Sequence, residues 1–160
     1  MTGASGFRRQ VTIRPYHAAD RAEWLRMRLA LWPDIADGDP DADADAWLAR
    51  ADAIVLVAER EDGRGLAGFA ELGTRPYADG CRSSPVAYLE GWYVDADMRR
   101  RGVGAALVRA GEAWGRARGC VEIGSDALID NTISVRAHEA LGFASVERLV
   151  HFLKDLGGGR

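Results

Sequence analysis

The feature that most restricts the fold is a predicted strand, a turn and a long helix that follow one another in the middle of the chain. Residues Ala87 to Val94 are mostly aromatic or β-branched, which predicts a strand. Apolar residues then repeat at helical spacing between Gly102 and Arg118, and Gly119 is a suitable C-terminal stop. This part of the chain therefore predicts a strand–turn–helix unit.

The other predicted elements do not alternate regularly along the chain. Strands are predicted at 11–14, 53–58, 66–73, 121–125 and 146–153, and helices at 20–31, 45–50 and 133–141. Asp20 and Glu23 resemble a capping box at the first helix, and Asp62 with Gly63 predicts an antiparallel hairpin. This order favours one α/β (mixed α+β) domain with a central mixed, twisted sheet flanked by helices, rather than a doubly wound parallel fold.

The composition excludes several classes of protein. With 160 residues, a formal charge of -3 and a pI near 5.6, the chain has single-domain size and is not a polycationic nucleic-acid binder. No apolar run approaches the roughly 18 to 20 residues that cross a bilayer, so no membrane partner is expected. The N-terminal residues lack the apolar core of a signal peptide, which makes the cytoplasm the expected location.

The cysteines and histidines do not form a pattern typical of a metal site. Cys81 and Cys120 are far apart in a chain without an export signal, which favours two reduced thiols, although one disulfide is arithmetically possible. The histidines, at positions 17, 138 and 151, are scattered. No metal site is therefore predicted.

The charged residues are distributed unevenly. Between Trp32 and Asp62 there are ten acidic and two basic residues. Between Asp97 and Cys120 the balance reverses, with six arginines and two acidic residues. These segments predict a cation-attracting and an anion-attracting surface on one protein, with a solvated loop as the alternative for the acidic run.

A glycine-containing segment precedes the long helix. From Arg99 to Ala105 the sequence reads RRRGVGA. Glycines at a helix start allow a ligand to approach closely, and the free N–H groups together with the helix dipole bind phosphate. The spacing matches neither the dinucleotide fingerprint nor the P-loop. The segment therefore predicts a phosphate-binding loop of another kind.

This loop resembles the acetyl-coenzyme A pyrophosphate loop, R-x-x-G-x-G-A, of the Gcn5-related N-acetyltransferase (GNAT) superfamily. The segment from Asn131 to Phe143 resembles the second motif of that superfamily. Further segments resemble the aminoglycoside 6′-N-acetyltransferases, namely Leu31-Trp32-Pro33, Tyr77 to Pro85, Leu89-Glu90-Gly91, Ser125-Asp126 and Glu147-Arg148. The resemblance implies a GNAT domain at 11–156, with flexible ends at 1–10 and 157–160.

The resemblance implies that acetyl-CoA, with no metal, is bound by two segments. Trp92, Tyr93 and Val94 would lie along the pantetheine and the acetyl group. The pyrophosphate would lie against Arg100, Arg101, Gly102, Val103, Gly104 and Ala105. Asn131 matches a residue that contacts the coenzyme, and a helix cap is the alternative role for this amide.

The resemblance also assigns an acceptor site to Trp32, Tyr77, Glu90, Asp126 and Glu147. Such residue types suit a polyamine sugar, because carboxylates pair with ammonium groups and aromatic faces pack against sugar rings or cations. Glu90 would anchor the reacting amine and help to deprotonate it, directly or through a water. Asp126 can share this work, and the roles of anchor and base stay open.

His138 departs from the superfamily pattern. It stands seven residues after Asn131, where members commonly carry a tyrosine that protonates the departing thiolate. An imidazole can donate that proton, and a packing role is the alternative.

These implications define the expected function. The chain would acetylate the 6′-amine of aminoglycoside antibiotics by direct attack of the amine on the acetyl-CoA thioester, giving antibiotic resistance. The alternatives are a GNAT enzyme for a polyamine or a protein or peptide amine, and a noncatalytic acyl-CoA-binding module. The resemblance also implies a homodimer.

Overall fold

The computed structural model describes residues 11–157, so the predicted extension at 1–10 and the last three residues of the predicted tail lie outside the described residues. The described chain divides into two compact units, one ending at Asp126 and the other beginning at Ala127. No helix among residues 11–157 combines the length and the apolar character needed to span a bilayer.

The first unit contains all the strands that the structure defines in residues 11–157. In chain order its elements are β1 (Val11–Pro15), α1 (Arg21–Leu31), α2 (Pro40–Leu48), β2 (Ala53–Arg60), β3 (Leu66–Arg75), β4 (Val86–Val94), α3 (Val103–Ala117) and β5 (Ile123–Ser125). The second unit contains α4 (Thr132–Ala140). Short 3-10 turns precede α1, α2 and α3.

The strands form one five-stranded sheet in the order β1-β2-β3-β4-β5. The first four strands pair antiparallel, and β4 pairs with β5 in parallel. The predicted α/β fold with a sheet of mixed direction and an antiparallel hairpin is therefore confirmed.

Helices cover both faces of the sheet within the first unit. On one face, Trp24 and Met27 of α1 are fully buried in a cluster with Phe69 of β3. On the other face, α3 approaches so closely that a Cβ at Gly115 would lie 2.8 Å from the Cβ of Ala87. Alternation of side chains along each strand explains why successive residues of β3 and β4 serve different helices.

The second helix begins earlier than the sequence predicted. It starts at Pro40, whereas the prediction placed a helix at 45–50, so the stretch from Pro40 to Asp45 is helical rather than a loop. The Asp39 carboxylate caps it by accepting hydrogen bonds from the N–H groups of Asp41 and Ala42 at 3.1 and 3.0 Å. Proline at the first position and acidic residues in the first turn favour such a start, since both suit the free N–H groups and the dipole.

The predicted capping box at Asp20 is wrong, although the helix that follows it is present. The Asp20 carboxylate does not cap α1. It accepts two hydrogen bonds from the Arg14 guanidinium, at 2.7 and 2.9 Å, and one from the His17 N–H at 2.8 Å. The bidentate pair occupies both carboxylate oxygens, and it ties β1 to the start of α1.

The predicted strand at 146–153 is also wrong. Residues 143–156 carry no helix or strand. A strand needs a hydrogen-bonded neighbour, and the structure assigns none to this segment within residues 11–157. Its apolar side chains are exposed, with Phe152 at 94% and Leu153 at 98%.

Candidate functional site

Glu90 occupies a β-bulge in the centre of the sheet. In the pairing of β3 with β4, Leu72 is opposite Leu89 and Glu71 is opposite Gly91, so Glu90 is an extra residue without a partner. A bulge bends its strand and redirects a side chain, and bulges are common beside active sites. The Glu90 side chain is 20% exposed, so a carboxylate within an apolar strand still reaches solvent.

Arg75 holds the Glu90 carboxylate in a two-point ion pair. Its Nε donates to Oε1 at 3.0 Å, and its Nη2 donates to Oε2 at 2.6 Å. The same guanidinium lies 3.5 Å from the centroid of the Tyr88 ring, and the Tyr88 hydroxyl donates to Asp126 at 2.7 Å. One chain of contacts therefore connects Glu90 with Asp126, two residues that the sequence assigned to the acceptor.

The environment of Tyr88 keeps its hydroxyl protonated. Burial of the ring, followed by the hydrogen bond to the Asp126 carboxylate, raises the pKa of Tyr88 above its usual value. The hydroxyl therefore acts as a fixed donor that orients Asp126.

Trp32, at the end of α1, lies directly beside the bulge. A Cβ at Gly91 would overlap the Trp32 indole, so the missing side chain at Gly91 makes room for the ring. The indole packs edge-on against Phe69, and the Arg28 guanidinium lies 5.3 Å from its centroid. The structure thus places Trp32 against Gly91, the residue that follows Glu90 in β4.

A buried polar cluster under Trp32 was missed by the sequence analysis. Glu71 accepts hydrogen bonds from Arg28 Nε at 2.7 Å and from Trp24 Nε1 at 2.9 Å, and its side chain is 1% exposed. Burial raises the pKa of Glu71, while the contacts with Arg28 and Trp24 oppose that shift. The signal was available, since Glu71 is a carboxylate within an apolar strand, as Glu90 is.

The loop from Tyr77 to Pro85 is held at its base by Glu122. The Glu122 carboxylate accepts hydrogen bonds from the N–H groups of Arg82 and Ser83 at 2.9 and 2.7 Å and from the Ser83 hydroxyl. These contacts lower the pKa of Glu122, the Ser83 hydroxyl contributing most. Tyr77 is 64% exposed and donates to Asp79 at 2.9 Å, so its ring remains accessible to a ligand.

The predicted phosphate-binding loop has the geometry that an anion requires. Gly102 has φ +80° and Arg100 has φ +58°, so two residues of the loop adopt left-handed conformations. The N–H groups of the first turn of α3, which starts at Val103, have no acceptor within the helix. Arg100 and Arg101 are exposed beside them. Free donors, a helix dipole and exposed cations together suit a pyrophosphate.

The strands β4 and β5 separate before Trp92, the first residue that the resemblance assigns to the pantetheine and the acetyl group. Their pairing covers Ala87 to Leu89 and ends there, whereas β4 continues to Val94. Trp92 to Val94 therefore have a paired neighbour on the β3 side only, within the described residues. Backbone groups on the other side of β4 can hydrogen-bond an extended ligand, which suits the predicted pantetheine site, and the Val94 carbonyl already accepts from Arg99 Nε at 2.9 Å. The start of α3 packs closely on this part of β4, because a Cβ at Gly104 would lie 2.7 Å from Trp92 Cζ2.

Three of the expected site residues lie in the second unit. The Asn131 side-chain oxygen accepts from the Ser134 N–H at 3.1 Å and caps α4, which leaves its amide N–H groups as donors. His138 Nδ1 lies 2.8 Å from the Ser134 carbonyl oxygen, which can only accept, so Nδ1 carries the proton of the neutral ring. The ring packs edge-on against Phe143 at 5.2 Å, and Glu147 is exposed.

The two cysteines, both within residues 11–157, are not joined by a disulfide. Cys81 and Cys120 are free thiols, and burial raises the pKa of each. Within residues 11–157 no three His, Cys, Asp or Glu side chains come together as metal ligands would.

Comparison with known proteins identifies relatives over almost the whole chain. The model of the acetyltransferase (GNAT) family matches residues 21–143. A curated aminoglycoside N(6′)-acetyltransferase type 1 of Klebsiella aerogenes is 46% identical over 147 residues, covering 90% of this chain and 96% of the relative. The protein of the same name from Stenotrophomonas maltophilia is 45% identical over 146 residues, covering 91% and 94%.

Solved structures show the same likeness. The structure of AAC(6′)-Iy in complex with a bisubstrate analogue, CoA-S-monomethyl-acetylneamine, has a TM-score of 0.84 and 35% identity, and covers 92% of this chain and 99% of that one. The aminoglycoside 6′-N-acetyltransferase AAC(6′)-Ih of Acinetobacter baumannii also has a TM-score of 0.84, with 34% identity and the same coverage.

Proposed function

The chain belongs to the acetyltransferase (GNAT) family, and we propose that it transfers the acetyl group of acetyl-CoA to the 6′-amine of aminoglycoside antibiotics. The observation that carries the proposal is the likeness to 6′-acetyltransferases over nine-tenths of the chain. It is supported by a solvent-accessible carboxylate, Glu90, at the bulge of β4. Acetylation converts an ammonium group into a neutral amide, so the product carries one positive charge less and binds a polyanionic target such as ribosomal RNA more weakly.

Residues of β4 and α3 hold the coenzyme in this proposal. Acetyl-CoA supplies the thioester that the acceptor amine attacks. The residues assigned to the pyrophosphate are Arg100, Arg101, Gly102, Val103, Gly104 and Ala105, and those assigned to the pantetheine and acetyl group are Trp92, Tyr93 and Val94. The left-handed turn before α3 and the stretch of β4 beyond its pairing with β5 support these roles. Asn131 is also assigned to the coenzyme, to which its amide N–H groups can donate.

Acceptor binding falls to a group of aromatic and acidic side chains: Trp32, Tyr77, Glu90, Asp126 and Glu147. Trp32 offers an indole packed against Gly91, the chain neighbour of Glu90, and Asp126 is oriented by Tyr88. Glu90 anchors the reacting amine and takes part in its deprotonation, and Asp126 pairs with a second ammonium group or shares the proton. His138 can donate a proton to the departing thiolate only as an imidazolium, since the proton of its neutral form is held by Ser134.

Release of free CoA thiol tests the function directly. Purified protein with acetyl-CoA is assayed with kanamycin or tobramycin, with spermidine, with peptide amines and without an acceptor. We expect release with the aminoglycosides only, and NMR of the product to show acetylation at the 6′-amine. Turnover with spermidine or peptides in place of aminoglycosides would assign the enzyme to the alternative acceptors. Coenzyme binding without release for any amine would indicate a noncatalytic module.

The same proposal includes a homodimer located in the cytoplasm, where acetyl-CoA is available. The exposed apolar side chains of the segment 143–156, including Phe152 and Leu153, support self-association, because a water-soluble chain rarely leaves such a patch uncovered. Sedimentation velocity at assay concentrations is expected to give a dimer of this 17.4 kDa chain, and a monomer would contradict this part of the proposal.

We further propose that residues 11–156 form the complete acetyltransferase domain. The family model matches residues 21–143 and a curated relative aligns over 147 residues of this chain, which supports a domain of about this length. A chain reduced to residues 11–156 is expected to retain the turnover of the full chain, and a large loss would move the boundary.

A further inference from the structure

The Arg75–Glu90 pair differs from the ion pair that joins Glu71 of β3 to Arg28 of α1. Glu71 and Arg28 are 1% and 5% exposed, so this pair is sealed in the core. Glu90 and Arg75 are 20% and 40% exposed, so water reaches both partners. Ion pairs that solvent reaches are weak, because water and other ions compete for each charge. A cationic ligand can therefore separate Arg75 from Glu90.

The Arg75 guanidinium has a second attachment besides Glu90. It lies 3.5 Å from the centroid of the Tyr88 ring, within the range of a cation–π contact. The phenol oxygen of that ring is bonded to Asp126, another carboxylate within electrostatic reach of Arg75. Arg75 can thus leave Glu90 and still remain stabilised at the edge of the site.

A second arginine in this region, Arg50, is fixed by partners other than Glu90 and can be compared with Arg75. A Cβ at Gly73 would lie 2.8 Å from Arg50 Nη2, and Gly73 is the strand partner of Tyr88. Arg50 is bound by both oxygens of Asp52, at 3.1 and 3.0 Å, and stacks on Trp47 at 4.5 Å. Arg50 interacts with Glu90 only by long-range electrostatic attraction. Arg75, in contrast, donates a hydrogen bond to each oxygen of the Glu90 carboxylate.

We propose that Arg75 is a resident cation of the acceptor site, which neutralises Glu90 until an ammonium group of the acceptor replaces it on that carboxylate. The inference rests on the proposed function, because the replacing group is an amine of the aminoglycoside. Exchange of one cation for another leaves the charge around Glu90 unchanged, so binding creates no unpaired buried charge. A neutral acceptor cannot make this exchange. Arg75 is therefore a specificity-determining residue that selects cationic acceptors.

The exchange predicts an unusual effect of removing the arginine. Without its competitor, Glu90 is open to the ammonium group, so Arg75→Ala is expected to lower the KM for the aminoglycoside by about two- to fivefold, the range of a solvent-accessible ion pair. The KM for acetyl-CoA is expected to stay the same. Arg75→Lys keeps a competing cation and is expected to retain a KM close to that of the unaltered protein. A rise in KM in Arg75→Ala would instead make Arg75 a support for Glu90 and overturn the exchange.

Arg50→Gln is the matched control, because it removes the same charge from the same region without uncovering Glu90. An equal fall in KM in Arg50→Gln would mean that only the long-range field matters, and the exchange would be wrong. Methylguanidinium provides a direct probe of the vacated position. It is expected to compete with the aminoglycoside in Arg75→Ala and to have no effect on the unaltered protein, and failure to compete would contradict the exchange.

The outcomes separate this inference from the proposed function. If the unaltered protein releases no thiol with any aminoglycoside, the function itself fails. If it turns over aminoglycosides and Arg75→Ala does not lower their KM, the exchange alone fails. Should Arg75→Ala unfold, Arg75→Gln carries the same expectation, since it also removes the positive charge while it keeps the length of the side chain.

Discussion

Two carboxylates in neighbouring strands, Glu71 and Glu90, differ in their surroundings and therefore in their roles. Glu71 is sealed between Arg28 and Trp24, and it fixes α1 to the sheet. Glu90 lies at a β-bulge, and solvent reaches both Glu90 and its partner Arg75. A buried pair cannot exchange its partner, whereas an accessible pair can. Of the two carboxylates, Glu90 is therefore the one available to a substrate.

Removal of the Asp20 charge is expected to destabilise the protein at neutral pH. The Arg14 guanidinium holds the pKa of Asp20 below its usual value of 3.8. A lowered pKa in the folded state contributes stability above pH 3.8, and this contribution disappears as the pH falls toward the folded pKa. Asp20→Asn is expected to cost about 1.5 to 3 kcal/mol near pH 7, as for hydrogen bonds to charged groups.

Urea unfolding between pH 3 and pH 7 measures this contribution. The difference between Asp20→Asn and the unaltered protein is expected to shrink as the pH falls below about 4. Asp37→Asn, at an exposed position, serves as the control with little effect at any pH. A difference that stays constant with pH would mean that the Asp20 charge does not stabilise the fold.

The contacts of His138 favour a packing role over proton donation. Its Nδ1 proton is held by the Ser134 carbonyl and its ring packs on Phe143. A positioned proton donor typically contributes about 100-fold or more. We expect His138→Ala to lose less than about tenfold in kcat, with a lower melting temperature. A loss above about 100-fold at unchanged melting temperature would instead identify His138 as the acid.

At the scale of elements, the glycines of α3 decide how closely this helix approaches the sheet. Gly104, Gly111 and Gly115 face Trp92, Leu72 and Ala87, and a Cβ at any of them would lie within 3.0 Å of one of these side chains. Glycine weakens an isolated helix by about 1 kcal/mol relative to alanine. Here the loss is offset by close contact between the helix and the strands β3 and β4.

Gly115→Ala is accordingly expected to destabilise the protein although alanine is the better helix former. The new methyl group would meet the Cβ of Ala87, which cannot rotate away. Overpacking of this kind costs about 1 to 3 kcal/mol. Chemical denaturation measures the change, with Arg109→Ala on the exposed face of α3 as the control. An increase in stability would mean that the helix shifts freely.

The helix α2 shows why one element was placed wrongly from the sequence. The run of alternating aspartates and alanines has no apolar stripe, so periodicity gives no signal there. The helix is held instead by the Asp39 cap and by ion pairs of Arg21 with Asp41 and Asp45. Arg21 lies about twenty positions earlier in the chain, and that contact is visible only in the folded protein.

At the scale of the whole molecule, the carboxylates of the acidic run fall into two groups. Several of its carboxylates are bound internally, as in the pairs Arg21–Asp41 and Arg28–Asp43. Others, such as Asp34 and Asp37, are exposed. The exposed charges still attract a polycation over a distance that salt shortens, from about 30 Å at 0.01 M to about 3 Å at 1 M.

The KM for the aminoglycoside is therefore expected to rise about two- to fivefold when the ionic strength increases from about 0.01 to 0.5 M. The measurement is a series of initial rates at saturating acetyl-CoA, with sucrose as an uncharged control for osmolarity. A KM that does not change with salt would mean that the exposed carboxylates of the acidic run are only a solvated surface and do not attract the substrate.

The sequence by itself determined the class of fold, the strand–turn–helix unit and the resemblance that named most of the site, because these depend on local patterns of side chains. It did not determine the partner of Glu90, the cluster around Glu71 or the absence of a strand at 146–153 from the described residues. Arg75 and Glu90 are 15 residues apart, and Arg28 and Glu71 are 43 apart. Such pairs arise from strand register and helix packing, which only the tertiary structure decides.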